Sequence, residues 1–363
     1  MPDGSASQDA IYRARPTLRF GGQFDERAGN LVQRMVMDES EGGLRALELV
    51  LSNWASTTDG SAELAFDQSR NVRLGGPIEV FGGEVARPCE LFRGHITAIE
   101  TILERGKPPE LRLCAEDALL SARLARRSRV FTDQAPSAVV RALCGDLGLT
   151  PVLSGLDAPT ASWAQIDETD LAFLRRLLAR FDADAQVVGT DLHVSPRADV
   201  QRAQISIDAE HDLRAIRVCA DLAEQATAVV VRGWDPSSGR AVKAQASAIS
   251  NAGPGEGRDG AGLLRDAFGD RPDNLGHLAV SQQEEAQALA EAAFDRRARR
   301  FVRAVGVTEG NPNLRVGVRL VMRGLGARFD NEYYVVRTRH CYDTQQGYST
   351  EFCAECAYLG GSQ

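Results

Sequence analysis

Residues 314–321, with the sequence Leu314-Arg315-Val316-Gly317-Val318-Arg319-Leu320-Val321, decide the fold because they begin a stretch that the chain carries twice. The late copy continues through Tyr333-Tyr334-Val335-Val336-Arg337-Thr338 to Ser349-Thr350-Glu351-Phe352-Cys353-Ala354-Glu355. The looser early copy contains Val72-Arg73-Leu74-Gly75, Ile78-Glu79-Val80-Phe81, Leu91-Phe92-Arg93-Gly94-His95-Ile96-Thr97-Ala98-Ile99 and Leu111-Arg112-Leu113-Cys114-Ala115-Glu116. We match Gly75 with Gly317, Ile96 with Val336 and Cys114 with Cys353. An internal repeat of this kind dictates architecture.

Each copy consists of three alternating runs separated by Gly, Pro, Asp and Asn, which is typical of short antiparallel strands. A three-stranded unit cannot close its own edges, so it belongs to a small barrel or curled sheet. The sequence therefore predicts an α+β, mainly β fold. It has two similar small tube-type β-barrel domains, an inserted α/β domain and a helix in the C-terminal half. The alternative is a chance match, because β-rich segments share such alternation.

Composition describes an ordinary globular chain of 363 residues, 43% apolar and 25% charged. The net charge of −8 argues against a general nucleic-acid binder, whose affinity comes from neutralising phosphates. No apolar run reaches the length of a membrane span, and the N-terminus lacks the order of a secretory signal. Seven scattered cysteines favour folding in a reducing cytosol.

Changes of period along the chain divide it into domains. We predict a flexible tail at 1–14, a first β-barrel domain at 15–116 and an inserted α/β domain at 117–206. The second β-barrel domain takes 207–249 and 301–359, and a glycine-rich loop plus a helix takes 250–300. The glycines of 250–262 predict a flexible loop or linker. A capping box of Ser281 and Glu284 is expected to start the helix.

Polar residues near the helix ends are predicted to be solvated. The arginines in the last turns of the helix that Ser281 starts, which are Arg296, Arg297, Arg299 and Arg300, would complement the helix dipole from a solvated face. Asp182 and Asp184 follow an earlier helix and are expected to be solvated caps. His95 and His193 lie in strand patterns, where a structural role is expected.

Four soft ligands near the C-terminus form a weak metal candidate: Cys341, Cys353, Cys356 and His340. In a strand, residues three apart point to opposite faces unless a bulge intervenes, so core cysteines are the favoured interpretation. The sequence has no Gly-x-Ser-x-Gly elbow, no His-Glu-x-x-His and no phosphate-binding loop. We therefore predict no catalytic residues, no cofactor and no resident metal.

Several motifs occur in a specific order along the chain: Arg15-Pro16 through Gly21, residues 91–96, residues 169–177, Val231-Arg232-Gly233-Trp234-Asp235, residues 310–317, Tyr333-Tyr334-Val335-Val336, His340 and residues 348–352. Together they are similar to the phage late-control D family, which includes the hub part of VgrG spike proteins of contractile injection systems. The resemblance covers residues 12 to 358, and its order and spacing are more specific than any single motif.

The resemblance implies a structural baseplate hub of a phage tail or contractile injection system. Such a homotrimer is a symmetry adaptor, because two similar barrels in each of three chains match a hexameric inner tube above and a trimeric spike below. The implied partners are the inner tail-tube protein, a spike or tip protein and other baseplate proteins, without nucleic-acid sequence recognition or an integral membrane segment. Assembly is expected in the bacterial cytoplasm before incorporation into the particle.

The chain departs from VgrG proteins in stopping at Gln363 without a needle region, so the spike is expected to be a separate chain. Ring contacts are predicted on the repeat strands, at Ile78, Phe81, Ile96, Ile99, Leu320, Val321, Tyr334 and Val336. Two alternatives from other classes remain open. They are a spike-associated cell-wall hydrolase or effector and a stand-alone carbohydrate-binding β-protein.

Overall fold

The described chain has more strand than helix, as the alternating runs predict. The computed structural model describes residues 15–56, 62–67, 69–83, 88–200, 202–276 and 280–361. The predicted flexible tail at 1–14 lies outside these residues. No helix in the described ranges combines the length and the apolar character that a membrane crossing needs.

The described strands and helices have the following bounds. The strands are β1 (Thr17–Phe20), β2 (Gln23–Phe24), β3 (Val32–Ser40), β4 (Ala46–Ser52), β5 (Trp54–Ser56), β6 (Ala62–Leu64), β7 (Pro77–Gly82), β8 (Cys89–Ile102), β9 (Glu110–Glu116), β10 (Arg126–Gln134), β11 (Thr150–Leu153), β12 (Ala161–Thr169), β13 (Ala183–Val188), β14 (Asp191–Pro196), β15 (Gln204–Asp208), β16 (Leu213–Ala220), β17 (Ala228–Asp235), β18 (Arg240–Ala246), β19 (Arg258–Asp259), β20 (Pro272–Leu275), β21 (Val302–Glu309), β22 (Arg319–Arg323), β23 (Asn331–Asp343), β24 (Gly347–Cys356) and β25 (Tyr358–Leu359). The α-helices are α1 (Glu26–Leu31), α2 (Leu120–Leu124), α3 (Pro136–Leu147), α4 (Asp170–Leu178), α5 (Gly260–Phe268) and α6 (Gln283–Arg299). Short 3-10 turns cover Ala179–Phe181 and Arg197–Asp199.

One continuous sheet of 13 strands contains the repeat. Its first part has the neighbour order β7-β8-β9-β4-β3, and its second part has the order β22-β23-β24-β21-β16. We name these the first and the second sheet module. The five strands of each module occur in the same order along the chain and are antiparallel to their neighbours. The strand that flanks each module differs in direction: β1 is antiparallel to β7 in the first module, whereas β15 is parallel to β22 in the second.

The two modules also share their irregularities. A bulge between Ile96 and Ala98 in β8 corresponds to a bulge between Val335 and Arg337 in β23. The register of β3 against β4 shifts between Val32 and Arg34, and that of β16 against β21 shifts between Leu213 and Ala215. Bulges break the ladder at defined places, so two shared bulges are a stricter match than alternation alone.

Pairing corrects one position of the sequence alignment. Gly75 and Gly317 both have a positive φ, and their N–H groups donate to Ile96 O and Val335 O at 2.8 Å. Ile96 therefore corresponds to Val335 rather than to Val336. The sequence alternation could not locate the extra residue of the bulge, which follows this position in both strands.

A first inserted unit, residues 117–200, follows the first module. It combines the sheet β11-β14-β13, the pair β10-β12 and helices α2, α3 and α4 around its own apolar core. Thr169 caps α4 by accepting a hydrogen bond from Ala172 N. The strand β15 then returns to the long sheet, and it straddles the predicted boundary at 206.

A second inserted unit, residues 221–301, interrupts the second module between β16 and β21. Here β18, β17 and β20 form a separate sheet on which α6 packs. The predicted second barrel domain included β17 and β18, so the structure differs at this point. The apolar run of β17 identified a buried strand, but periodicity carries no information about which sheet the strand joins. Helix α6 starts after Gln282 without a side-chain cap, so the predicted capping box of Ser281 is wrong.

The glycine-rich stretch is ordered against the C-terminal strands, which corrects its prediction as a flexible linker. Gly255 and Gly257 have φ values of +109° and +132°. A Cβ atom on Gly257 would lie 2.1 Å from Leu359 O, and one on Gly255 would lie 2.6 Å from Cys356 Sγ. Asp259 then caps α5 through Gly262 N. Glycine is required here because two backbones touch.

We predict that Gly257→Ala lowers the free energy of unfolding by about 1–3 kcal/mol, because alanine strains a positive-φ position and collides with the Leu359 carbonyl. Gly145→Ala is the matched control, since it lies in α3 with open space around it. The control should leave the stability unchanged or raise it by up to about 1 kcal/mol. Chemical denaturation followed by circular dichroism measures both, and equal stability of the two variants would contradict the packing argument.

Candidate assembly interface

The strand β23 joins the two modules within one chain. Its first residues pair with β22, whereas residues 337–343 pair with β3 of the first module. Two side chains of the second module, Tyr342 and Tyr348, are part of the apolar core of the first. We name this contact the in-chain junction. The end of the β23–β24 hairpin of the second module thus extends the sheet and the apolar core of the first module.

A buried carboxylate lies at the centre of the in-chain junction. Glu39, on β3, accepts hydrogen bonds from Arg315 Nε at 2.7 Å and from Arg45 Nε at 3.1 Å. The hydroxyl of Thr338 on β23 donates to the same carboxylate at 3.4 Å. Arg45 follows β3 in the first module, and Arg315 precedes β22 in the second. The carboxylate thus binds side chains from both modules.

The electrostatics of Glu39 favour its ionised form. Burial alone would raise the pKa of this carboxyl, but the nearby charges of Arg315 and Arg45 outweigh it and lower the pKa to about 2. Burial and the same Arg315 lower the pKa of His340 to about 3, so this imidazole is neutral at pH 7. His340 Nδ1 lies 2.8 Å from the Tyr348 hydroxyl. The buried centre of the junction is therefore polar, with charge on Glu39 and its arginines and none on His340.

Sequence reasoning missed Glu39, Arg45 and Arg315 as interface residues. A signal was present, because Glu39 has the same strand parity as the buried Met35 and Met37 and so belongs to the core face of β3. A carboxylate on a core face needs a cationic partner. Its two partners come from positions 45 and 315, and alternation alone cannot indicate that pairing.

Among the described residues, two strand edges of the long sheet have no pairing equivalent to the in-chain junction. The end of β8, from Ala98 onward, pairs with β9 on one side only, although the equivalent end of β23 pairs on both sides. The second such edge is the outer side of β16, whose pairing in the described part of the chain is with β21. Leu103, just after β8, is 71% exposed and Ile99 is 37% exposed. Such edges with apolar side chains are interaction surfaces.

The predicted ring residues are mostly in the interior. Six of the eight are buried within the chain: Ile78, Phe81, Ile96, Leu320, Val321 and Tyr334. Ile99 is exposed and Val336 is half-buried. The prediction selected apolar residues of alternating strands, and those are the residues that face the core. Only Ile99 and Val336 remain as candidates for contacts between chains.

The four candidate metal ligands each have a different structural role. His340 is bound to Tyr348 in the junction, and Cys341 follows it in β23 with the opposite strand parity. Cys353 pairs with Arg337 in the sheet, whereas Cys356 packs against the glycine-rich stretch. Across the described ranges, no group of three or more His, Cys, Asp or Glu side chains is arranged to hold a metal ion.

A second cluster of charges joins the inserted units to the long sheet. Arg299 of α6 is buried and forms a two-pronged ion pair with Asp182. Arg197 is buried 3.0 Å from Glu41 Oε1 and lies over the Tyr334 ring. These residues and their neighbour Asp184 were expected to be solvated or were not singled out. The prediction of a solvated Arg299, Asp182 and Asp184 is wrong, because the two inserted units pack on them.

Burial is the main cause of the raised pKa values of two acids in this second cluster. It raises the pKa of Glu41 to about 7, and the nearby carboxylates of Asp184 and Glu355 add to the rise, while Arg197 opposes it. The pKa of Asp184 is raised for the same reason. Acids and arginines are therefore closely balanced where the inserted units meet the sheet.

We predict that Glu39→Gln lowers the free energy of unfolding by about 3–5 kcal/mol, because it leaves two largely buried arginines without a counter-charge. Asp38→Asn is the matched control on the next residue of β3, where the ion pair with Arg337 is at the surface and contributes about 0–1 kcal/mol. Thermal and urea unfolding measure both variants. Equal losses in the two would contradict a special role of Glu39.

The same variants test the pH dependence. Since the folded-state pKa of Glu39 lies near 2, below its usual 4.5, its stabilisation is complete above pH 4.5 and is lost as the pH falls towards 2. The stability difference between the native protein and Glu39→Gln should shrink over this window. A difference that stayed constant would contradict the assigned ionisation.

Solved structures with the same fold come from tail and secretion assemblies. A 43 kDa tail protein of prophage MuSo2 from Shewanella oneidensis is 13% identical with a TM-score of 0.66, covering 94% of this chain and 98% of that one. A tail protein from Neisseria meningitidis MC58 is 11% identical with a TM-score of 0.66, at 94% and 96% coverage. A component of the type VI secretion system of E. coli, described as structurally similar to T4 bacteriophage tail proteins, is 13% identical with a TM-score of 0.52, at 92% and 76% coverage.

These likenesses confirm the mainly β fold and its similarity to phage tail proteins, and at such low identity they show the fold alone. The late-control D family itself stays a prediction. Among curated proteins, no sequence matches the chain. The sequence model of one family, described as the Alg8 N-terminal domain, matches residues 55–343. Because that match spans well over half of the sequence, the chain belongs to the Alg8 N-terminal domain family.

Proposed function

We propose that the chain is a structural hub in the baseplate of a phage tail or contractile injection system. Three copies close a ring of six sheet modules. One side of the ring receives the hexameric inner tube, and the other holds a trimeric spike. In this role the chain works by presenting matched surfaces, and its physical task is to bury sheet edges in a closed assembly.

One observation carries the proposal, which is the duplication of the sheet module. Both modules have the same neighbour order, the same chain order and two bulges at equivalent places. A ring with two equivalent modules per subunit presents six similar surfaces from three chains. That ratio is what an adaptor between sixfold and threefold partners needs. The shared fold with tail and type VI secretion proteins supports the same assignment.

The edges of the sheet support a ring rather than an independent subunit. The two free edges of the long sheet are equivalent to the two partners of the in-chain junction. The end of β8 in the first module corresponds to the end of β23, and β16 in the second module corresponds to β3. A head-to-tail contact between copies would cover one edge of each kind at every interface. Such a contact either closes into a ring or grows into a filament, depending on the rotation per copy. A closed ring leaves neither of these two edges exposed.

We predict that the purified chain forms a species with three times the 39.3 kDa mass of one copy. Native mass spectrometry and light scattering over a range of concentrations measure this. Obligate contacts of this type bury roughly 2,000 Å² or more, so the trimer should persist at micromolar concentration or below. The hexameric tube protein should bind to the trimer with one tube ring per trimer.

A chain that stays monomeric at every concentration, or that assembles with another stoichiometry, contradicts the hub proposal. A gel containing peptidoglycan separates it from the alternative of a spike-associated cell-wall hydrolase. A zone of clearing by the purified chain would favour the hydrolase. An unchanged gel together with a trimer would favour the hub.

A further inference from the structure

We propose that a second copy of this chain pairs the edge of its β16 with the free end of β8, in the register of the in-chain junction. Residues 98–104 of one copy lie antiparallel to residues 215–221 of the next. The inference rests on the proposed ring but goes beyond it, since it assigns the contact residue by residue. It follows from treating the in-chain junction as a template for the contact between copies.

The donor segment is equivalent in the two modules. After their shared bulges, β8 continues to Ile102, whereas β23 continues two residues past the equivalent Cys341, to Asp343. The same number of residues separates Ile102 and Cys341 from their partners in the next strand. Ile102 pairs with Glu110, and the equivalent Cys341 pairs with Ser349. The end of β23 lies on β3 of the first module. The end of β8 is the same structural device without its acceptor.

The acceptor strand is equivalent as well. Starting from the shared bulge, Arg34 of β3 corresponds to Ala215 of β16, and Asp38 corresponds to Cys219. Transferring the pairs of the in-chain junction gives the register between copies. In that register the pairs are Ala98 with Asp221, Ile99 with Ala220, Glu100 with Cys219, Thr101 with Val218, Ile102 with Arg217, Leu103 with Ile216 and Glu104 with Ala215.

The side chains brought together are complementary. In the in-chain junction, Tyr342 packs into the core of the first module. Its equivalent is the exposed Leu103, which would meet Ile216 at the open end of the second module's core. Val218 and Ala220 are half-buried on the same side of β16. The contact therefore moves exposed apolar groups of one copy onto a partly covered core of the next.

The pair of Glu100 with Cys219 makes the register testable. In the in-chain junction, Glu41 N donates to Val336 O, which makes Arg337 with Ser40 a non-hydrogen-bonded pair. The pair two residues on, Arg339 with Asp38, has the same geometry and is the template for Glu100 with Cys219. Non-hydrogen-bonded pairs bring their side chains closest, with Cα atoms about 4.5 Å apart. Cys219 is a free and exposed thiol.

A Glu100→Cys variant of the full chain tests this register. Mild oxidation should convert most of it into covalent dimers and ring-closed trimers on a non-reducing gel, because each interface supplies one new thiol opposite Cys219. Thr101→Cys is the matched control, since the next residue points to the opposite face of the strand. It should give at most a tenth of the cross-linked product. Adding Cys219→Ser to Glu100→Cys should abolish the product.

Each outcome decides between the two proposals. A trimer by native mass that shows no Glu100→Cys cross-link, or an equal one from Thr101→Cys, overturns the register and leaves the hub proposal standing. A chain that is monomeric and does not cross-link overturns both. Cross-linking that needs Cys219 and is specific to position 100 supports both.

A second variant tests the apolar contact independently. Leu103→Ser should weaken association by about tenfold for each interface, because a leucine side chain returns to water when the copies separate. Leu124→Ser is the matched control, as Leu124 is 69% exposed in α2 of the first inserted unit. Sedimentation at several concentrations gives the dissociation constants. Equal weakening by both variants, or none by Leu103→Ser with an unchanged circular dichroism spectrum, contradicts the proposed contact.

Discussion

A single buried carboxylate fixes how the two sheet modules meet. Glu39 binds Arg45 from its own module and Arg315 from the other, and Thr338 of the joining strand donates to it as well. A shift of β23 by one residue would turn its core side chains outward and separate the carboxylate from Thr338. The uncompensated charge would cost several kcal/mol. The position of the second module relative to the first therefore depends on this contact together with the pairing of β23 with β3.

The two inserted units are attached to the long sheet by a second cluster of charged side chains. Glu41 and Asp184 are acids whose pKa values burial raises, and Arg197 and Arg299 lie beside them. Both inserted units reach the long sheet at this place. Buried charges of this kind contribute little net stability when paired, but they strongly penalise a wrong arrangement. The inserted units are thus positioned by charge pairing, whereas each keeps an apolar core of its own.

The sequence predicted the fold well where a local pattern determines the structure. Alternation around Gly75 and Gly317 identified the repeat. Glycine occurs at both positions because each adopts the positive φ that its turn requires. The predictions failed where distant residues decide. Nothing local in the run 228–235 indicates that it leaves the long sheet, and the glycines of 250–262 resemble those of a free loop although Gly255 and Gly257 pack against the C-terminal strands.

The candidate interface was predicted only in outline. Apolar residues of β7 and β22 were selected, yet on a half-buried strand these are the residues that the chain covers for itself. The useful signal was the opposite one, an apolar residue such as Leu103 beside a hairpin tip with no core to face. Glu39 was accessible by its parity with Met35 and Met37. Its arginine partners were not, since residues 39 and 315 meet only in the folded chain.

The placement of the second inserted unit has a consequence for shape. In the first module, β3 and β4 are joined by residues 41–45, whereas the equivalent strands of the second module are separated by residues 221–301. In the proposed ring of three chains, positions that carry a second inserted unit would thus alternate with positions that carry a short loop. The strands alone would repeat every 60°, but the outline of the ring would repeat every 120°. One elongated connection is enough to halve the rotational order that a docking protein encounters.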